Sequence, residues 1–163
     1  MSEISLSERL GRRLKSTGQV LATAESCTGG GVSAAITDIA GSSEWFDRAF
    51  ITYSNNAKME MLGVKAETLD SHGAVSEAVA REMVLGALAN SQATMAVSIS
   101  GIAGPGGGSE TKPVGTVCFG WADNLGWEKI KTYHFKGDRS QIRQQAVETA
   151  LKVLYEKLDD SAC

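Results

Sequence analysis

Proline and histidine each occur only twice among the 163 residues. The two histidines, His72 and His134, lie far apart, and Cys27, Cys118 and Cys163 form no Cys-x-x-Cys pair. The close ligand clusters of a structural zinc site are therefore missing. An odd number of scattered cysteines points to free thiols rather than a disulfide framework. No apolar run approaches the roughly 20 residues that span a bilayer. The opening Met1-Ser2-Glu3-Ile4 has neither the basic region nor the apolar core of a secretory signal. A net charge of -3 lacks the basic excess of a nucleic-acid binder. These absences make a cytoplasmic protein the expectation, without a metal, a cofactor, a membrane or a nucleic-acid partner.

Glycine, by contrast, is plentiful: 18 residues, clustered at 29–31 and 101–108. Such clusters mark places where backbone must approach something closely. A hydrophobic content of 42% with 21% charged residues is ordinary for a globular chain. The length suits one domain, 1–163, with a full core.

Leu6, Leu10 and Leu14 precede Gly18 at helical spacing, which predicts an amphipathic helix over 5–17. A strand is expected at 19–24, a small-residue helix at 27–38 and a second strand at 48–53. Asn55 to Leu62 reads as a short helix stopped by Gly63, and Lys65 to Ser71 as a short helix or turn. Ser76 caps a longer helix, Glu77 to about Asn90, with Val79, Met83 and Ala87 on one face. Thr94 to Ser100 is nearly continuously apolar, as a strand buried on both faces would be. A glycine-rich loop, 101–113, leads to strands at 115–122 and 128–135, joined by the hairpin signal Asp123-Asn124-Leu125-Gly126. The last helix runs from about Asp138 to Leu158, with Ile142, Ala146, Thr149/Ala150 and Val153 facing inward. Helices alternating with strands, with one hairpin closing the sheet, predict a single-domain three-layer α/β/α sandwich with a mixed sheet.

Four segments offer chemistry. In Ala24-Glu25-Ser26-Cys27-Thr28-Gly29-Gly30-Gly31 a hydroxyl and a thiol stand at a strand-to-helix turn. Ser26 or Thr28 there is either a simple helix cap or, for Ser26, a nucleophile flanked by backbone N–H donors. Glycines in the first turns of a helix cost about 1 kcal/mol each, which favours a backbone that faces a ligand. In Thr52-Tyr53-Ser54-Asn55-Asn56-Ala57-Lys58, the lysine is either a solvated surface residue or a desolvated base for a serine. His72 and His134 suit structural roles better than that of a base. Ser100-Gly101-Ile102-Ala103-Gly104-Pro105 and the glycines after it follow the buried strand. This loop is either a turn or a cradle whose N–H groups meet phosphate, although its spacing fits neither a P-loop nor a dinucleotide fingerprint. Arg139 and Arg143, four residues apart at the start of the last helix, either share a solvated face with Asp138 or meet an anion.

Together the stretches AESCTGG (24–30), DIAGSSEWF (38–46), TYSNNAK (52–58), GAVSE (73–77), SISGIAGP (98–105), KPVGTV (112–117) and GDR (137–139) resemble the family of the C-terminal domain of the competence-damage protein CinA. The resemblance is closest to its stand-alone bacterial members, which are nicotinamide-nucleotide amidases. It spans nearly the whole chain, and the N-terminal domain of CinA has no counterpart here. The resemblance implies hydrolysis of the carboxamide of nicotinamide mononucleotide to nicotinate mononucleotide and ammonia, in pyridine-nucleotide (NAD) recycling. It also implies a homodimer and a metal-independent serine–lysine mechanism. On this chain Ser26 becomes the nucleophile and Lys58 its base. Backbone N–H groups from Cys27 through Thr28 and Gly29 to Gly30 would hold the oxyanion, and Tyr53 would orient Lys58 or line the ring pocket. Ser100, Gly101 and Gly104 would contact ribose and phosphate, and Arg143, ahead of Arg139, would take the phosphate. Gly106 departs from the pattern, where Asp or another polar residue is expected after Gly-Pro. The competing expectations are Cys27 as nucleophile, with a thiol acidified by the helix N-terminus, and a nucleotide-binding sensor without turnover.

Overall fold

The computed structural model describes residues 5–161, without the side chains of 159–161. The reading of Met1–Ile4 and the thiol of Cys163 lie outside the described residues. The order of elements is α1 (Leu6–Ser16), β1 (Leu21–Glu25), α2 (Gly31–Thr37), β2 (Phe46–Ile51), α3 (Asn55–Leu62), α4 (Ala66–His72), α5 (Glu77–Ala89), β3 (Met95–Gly101), β4 (Thr116–Asp123), β5 (Glu128–His134) and α6 (Arg139–Ser161). A short 3-10 turn at Ser42–Glu44 leads into β2.

The five strands form one mixed sheet in the order β2-β1-β3-β4-β5. β1 pairs in parallel with β2 and β3, and β4 runs antiparallel to β3 and β5. This is the three-layer α/β/α sandwich with a mixed sheet that the alternation of helices and strands predicts. Its two faces differ in side-chain size. Val97, Ile99, Phe119 and Trp121 pack toward Leu10 and Leu14 of α1 and Ile142, Ala146 and Leu154 of α6. The Trp121 indole keeps its hydrogen bond while buried, donating to the Ala150 carbonyl at 3.1 Å. On the opposite face Ala96, Ser98, Gly120 and Ala122 are small. There α5 comes close enough for the Ser98 hydroxyl to donate to the Ala80 carbonyl at 2.6 Å. The leucine spacing of α1 and the inward face of α6 are as read from the pattern, with Leu10, Leu14, Ile142, Ala146, Ala150 and Val153 buried.

Two boundaries differ from the sequence expectation in ways that matter. The helix expected from residue 27 begins only at Gly31. Gly29 and Gly30 adopt φ of 59° and 98°, and residues 26–30 form a tight turn through Gly29 N–H to Ser26 O and Gly31 N–H to Thr28 O. The second strand ends at Ile51 rather than at residue 53. Thr52 still donates to Glu25 O, but beyond it the chain leaves the sheet and turns its carbonyls to a side chain described below. The stretch after Gly63 resolves as a helix, α4, rather than a turn.

On the small-residue face, α3 lies against α5 at Gly86, where an added Cβ would overlap the Leu62 carbonyl. Gly86→Ala therefore forces the two helices apart. The expected cost is about 1–3 kcal/mol, as for other overpacked contacts, read as a lowered midpoint in urea denaturation.

Candidate active site

The parallel strands β2, β1 and β3 all end at one edge of the sheet, where open α/β folds place their ligands. Ser26 follows β1 directly, Tyr53 follows β2 and Gly101 closes β3. A cavity of about 290 Å³ lies there, near the lower end of the roughly 300–1,000 Å³ usual for small-molecule sites. Its floor includes Ser26, Cys27 and Lys58, and Ser100, Gly101 and Gly104 line one wall. Tyr53 and Arg139, both exposed, stand at the rim.

Lys58 sits in the first turns of α3, which Ser54 caps by accepting from Ala57 N–H at 3.0 Å. Its side chain is only 1% exposed. Nζ lies 3.1 Å from Ser26 Oγ, 3.1 Å from the Thr52 carbonyl and 3.4 Å from the Tyr53 carbonyl. Among the described residues no carboxylate forms an ion pair with it. Burial therefore pulls its pKa below the usual lysine value, an effect the neighbouring Cys27 thiol partly opposes. A neutral amine has two N–H groups and one lone pair. Donation to the two carbonyls leaves the lone pair for the Ser26 hydroxyl proton.

Cys27 is in the opposite condition. Burial pushes its thiol up to about 11, against smaller downward pulls from its own backbone N–H, Arg143 and Lys58. The acidification expected from a helix N-terminus is not found. The helix starts four residues later, and desolvation outweighs the nearby cations.

Glu25 does not face the cavity. Its fully buried carboxylate accepts from Thr23 Oγ1 (2.9 Å), Thr28 Oγ1 (2.8 Å), Val32 N–H (2.9 Å) and Ser33 N–H (2.9 Å). It thus caps α2 from the preceding strand, at the positive end of the helix dipole. Thr28, read as a possible cap, spends its hydroxyl on Glu25 instead.

The cavity brings together Ser26, Cys27, Tyr53, Lys58, Ser100, Gly101, Gly104 and Arg139, but Thr28, Gly29, Gly30 and Arg143 are not in its lining. The Ser100 hydroxyl donates to the Ala74 carbonyl at 2.8 Å. Tyr53 meets Lys58 through its backbone carbonyl rather than its ring. Arg139 donates to Gly104 O at 2.7 Å and to the Tyr53 hydroxyl at 3.2 Å, tying the glycine loop to the rim. Arg143 lies outside the cavity lining and donates to the carbonyls of Cys27 and Thr28 at 3.0 and 3.1 Å. The two arginines share a helix but serve different ends of the site. His72 and His134 lie outside this cavity, beside Lys112 and Thr116. Beside Gly107 of the 101–108 cluster, the lining includes Asn55, Ala74, Val75, Ile102 and Ala103, to which the sequence assigned no role in a site. Their only signal was membership of the TYSNNAK, GAVSE and SISGIAGP stretches. Gly106 also lines the cavity, with no atom within 4 Å of where its Cβ would lie.

The fold and the site define a class: an α/β protein whose parallel strands end at a small-molecule cavity with a serine and a desolvated lysine in its floor. Within that class the chain belongs to the CinA C-terminal domain family, whose model matches residues 3–158. It is 56% identical over 154 residues to the nicotinamide-nucleotide amidohydrolase PncC of Escherichia coli K12, covering 94% of this chain and 93% of that protein. Among solved structures, the competence/damage inducible protein CihA of Agrobacterium tumefaciens superposes with a TM-score of 0.89 at 45% identity. That match covers 98% of this chain and 99% of the other. A CinA-superfamily protein of Klebsiella pneumoniae reaches 0.91 at 42% identity, covering 95% and 96%.

Glu25→Ala leaves the N–H groups of Val32 and Ser33 without their acceptor in the protein interior. The expected loss is on the order of 3 kcal/mol of folding stability, measured by chemical denaturation.

Proposed function

We propose that this protein hydrolyses the carboxamide of nicotinamide mononucleotide, releasing ammonia and nicotinate mononucleotide, with Ser26 as nucleophile and Lys58 as base. The observation that carries the reading is the 3.1 Å approach to the Ser26 hydroxyl of a fully buried Lys58 amine that has no carboxylate partner among the described residues. The name of the Escherichia coli relative supports the substrate.

In this mechanism Ser26 Oγ attacks the amide carbon while its proton passes to neutral Lys58. The N–H groups of Cys27 and Thr28, which among the described residues donate to no carbonyl and to no other residue's side chain, receive the oxyanion. The N–H of Gly29 is already committed to Ser26 O. Protonated Lys58 then gives its proton to the departing nitrogen, which leaves as ammonia. Water, deprotonated by Lys58, cleaves the acyl-serine and restores both groups. Arg139 takes the phosphate in place of Arg143, because it stands at the rim and at the first residue of the 23-residue α6, where the dipole adds to its charge. The glycine loop holds the ribose, and Val75 and Ile102 offer apolar contact to the ring. The protein acts in pyridine-nucleotide recycling as a cytoplasmic homodimer with no nucleic-acid or membrane partner. Its net charge of -3 and its free described thiols support that setting.

Ammonia release from nicotinamide mononucleotide is expected in the wild type, and Ser26→Ala and Lys58→Met each reduce it by about 10³-fold or more. Cys27→Ala retains activity. Activity that survives Ser26→Ala but not Cys27→Ala would transfer the nucleophile to the thiol. Bound nucleotide without ammonia would mark a sensor. The active amine is the deprotonated one, so activity is low where Lys58 is charged. It rises with pH through a lysine pKa that burial holds below the ordinary 10.5. Lys58→Arg, which keeps its proton at all working pH, is inactive throughout the profile.

A further inference from the structure

Arg143 is a half-buried cation that makes no ion pair with a carboxylate among the described residues. Its guanidinium is directed at peptide carbonyls: Nε donates to Cys27 O at 3.0 Å and one terminal nitrogen to Thr28 O at 3.1 Å. In a trans peptide the carbonyl and the following N–H point in opposite directions. Holding Cys27 O therefore aims the Thr28 N–H away from Arg143. Holding Thr28 O aims the Gly29 N–H likewise, and that N–H donates to Ser26 O at 3.0 Å. The bond on Ser26 O in turn fixes the direction of the Cys27 N–H. Among the described residues the N–H groups of Cys27 and Thr28 donate to no carbonyl and to no other residue's side chain, and Arg143 helps to set the direction of both, the first through one intervening hydrogen bond, beside the Gly31 N–H that also donates to Thr28 O.

The surroundings leave that side chain little alternative. Gly29 adopts a left-handed φ of 59°, and a Cβ there would lie 3.2 Å from the Arg143 terminal nitrogen. A Cβ on Gly31 would lie 3.0 Å from Val147, one helical turn further along α6. The glycine triplet is what lets α6 and its arginine press on the turn from behind. Glu25 holds the same turn from the helix side through Thr28 Oγ1 and the N–H groups of Val32 and Ser33.

We infer that Arg143 is a positioning residue: it presets the oxyanion-binding N–H groups of the Ser26 turn through the backbone and does not bind the substrate phosphate. This rests on the serine–lysine amidase reading above. Its signature is a loss in the transition state without a loss in ground-state binding.

The test compares wild type with Arg143→Lys on nicotinamide mononucleotide. It also compares nucleotide affinity by calorimetry in Ser26→Ala and in Ser26→Ala/Arg143→Lys. The expected result is a fall in kcat of about 10²-fold, with KM and Kd within about threefold of their reference proteins. To separate positioning from general unfolding, Arg143→Ala is assayed with millimolar guanidinium chloride against sodium chloride. Guanidinium restores part of kcat and sodium chloride does not. A Kd weakened about tenfold or more with kcat retained would make Arg143 a phosphate ligand and overturn the inference. Unchanged kcat in Arg143→Lys, or no guanidinium-specific recovery in Arg143→Ala, would also overturn it. Absence of ammonia from the wild type would instead sink the amidase reading, so the two failures are distinguishable.

Discussion

A single carboxylate, that of Glu25, joins the sheet to the helix layer beside the Ser26 turn. It ends β1 with its side chain fully buried, and four donors from Thr23, Thr28, Val32 and Ser33 converge on it. A buried carboxylate is tolerable only when its lone pairs are so occupied, and the two backbone donors are orphans that the start of α2 would otherwise leave unpaired. One residue thus satisfies a helix terminus and sets the span between strand and helix. Ser26 falls inside that span. Its position is therefore set by a structural contact on the far side of the turn.

Lys58 reverses this logic. Its amine is buried without a counter-charge among the described residues, which disfavours the ammonium and costs stability whenever the group is protonated. The fold supplies two backbone carbonyls at the frayed end of β2, suited to a neutral amine with its lone pair free. Cys27, one residue from Ser26 and equally enclosed, meets the same low-dielectric surroundings as a thiol and is held protonated. One environment therefore favours the neutral form of both groups. In that form the amine has a free lone pair, and the thiol keeps its proton.

Much of the architecture was legible because its signals are local. The leucine spacing of α1, the Ser76 cap of α5, the continuous apolar run of β3 and the hairpin after Asp123 each depend on neighbours in the chain, and each element formed as read. The start of α2 differs from the expectation because the small-residue helical pattern after Gly30 does not extend back over Cys27 to Gly30, where two glycines take left-handed φ. The end of β2 was misread because β propensity does not register that Thr52 and Tyr53 are needed as acceptors by a side chain one turn further on. Among the site residues, Ser26 and Lys58 were identifiable as a pair only through a resemblance. Their meeting depends on β1 and β2 lying side by side.

The sequence by itself determined the alternation of elements, the inward faces of α1 and α6, and the two places where glycine lets backbone approach closely. These are written in periodicity and in residue size, which the chain carries wherever it folds. Only the tertiary structure decided that Lys58 is dry, that Glu25 is a clamp behind the turn, and that Arg143 grips the turn while Arg139 guards the rim. Arginines four residues apart on one helix look alike in sequence. Their roles diverge because α6 crosses the Ser26 turn at one of them and reaches the glycine loop at the other. Charge state and contact partner depend on what packs across the space between elements, and no local pattern encodes that.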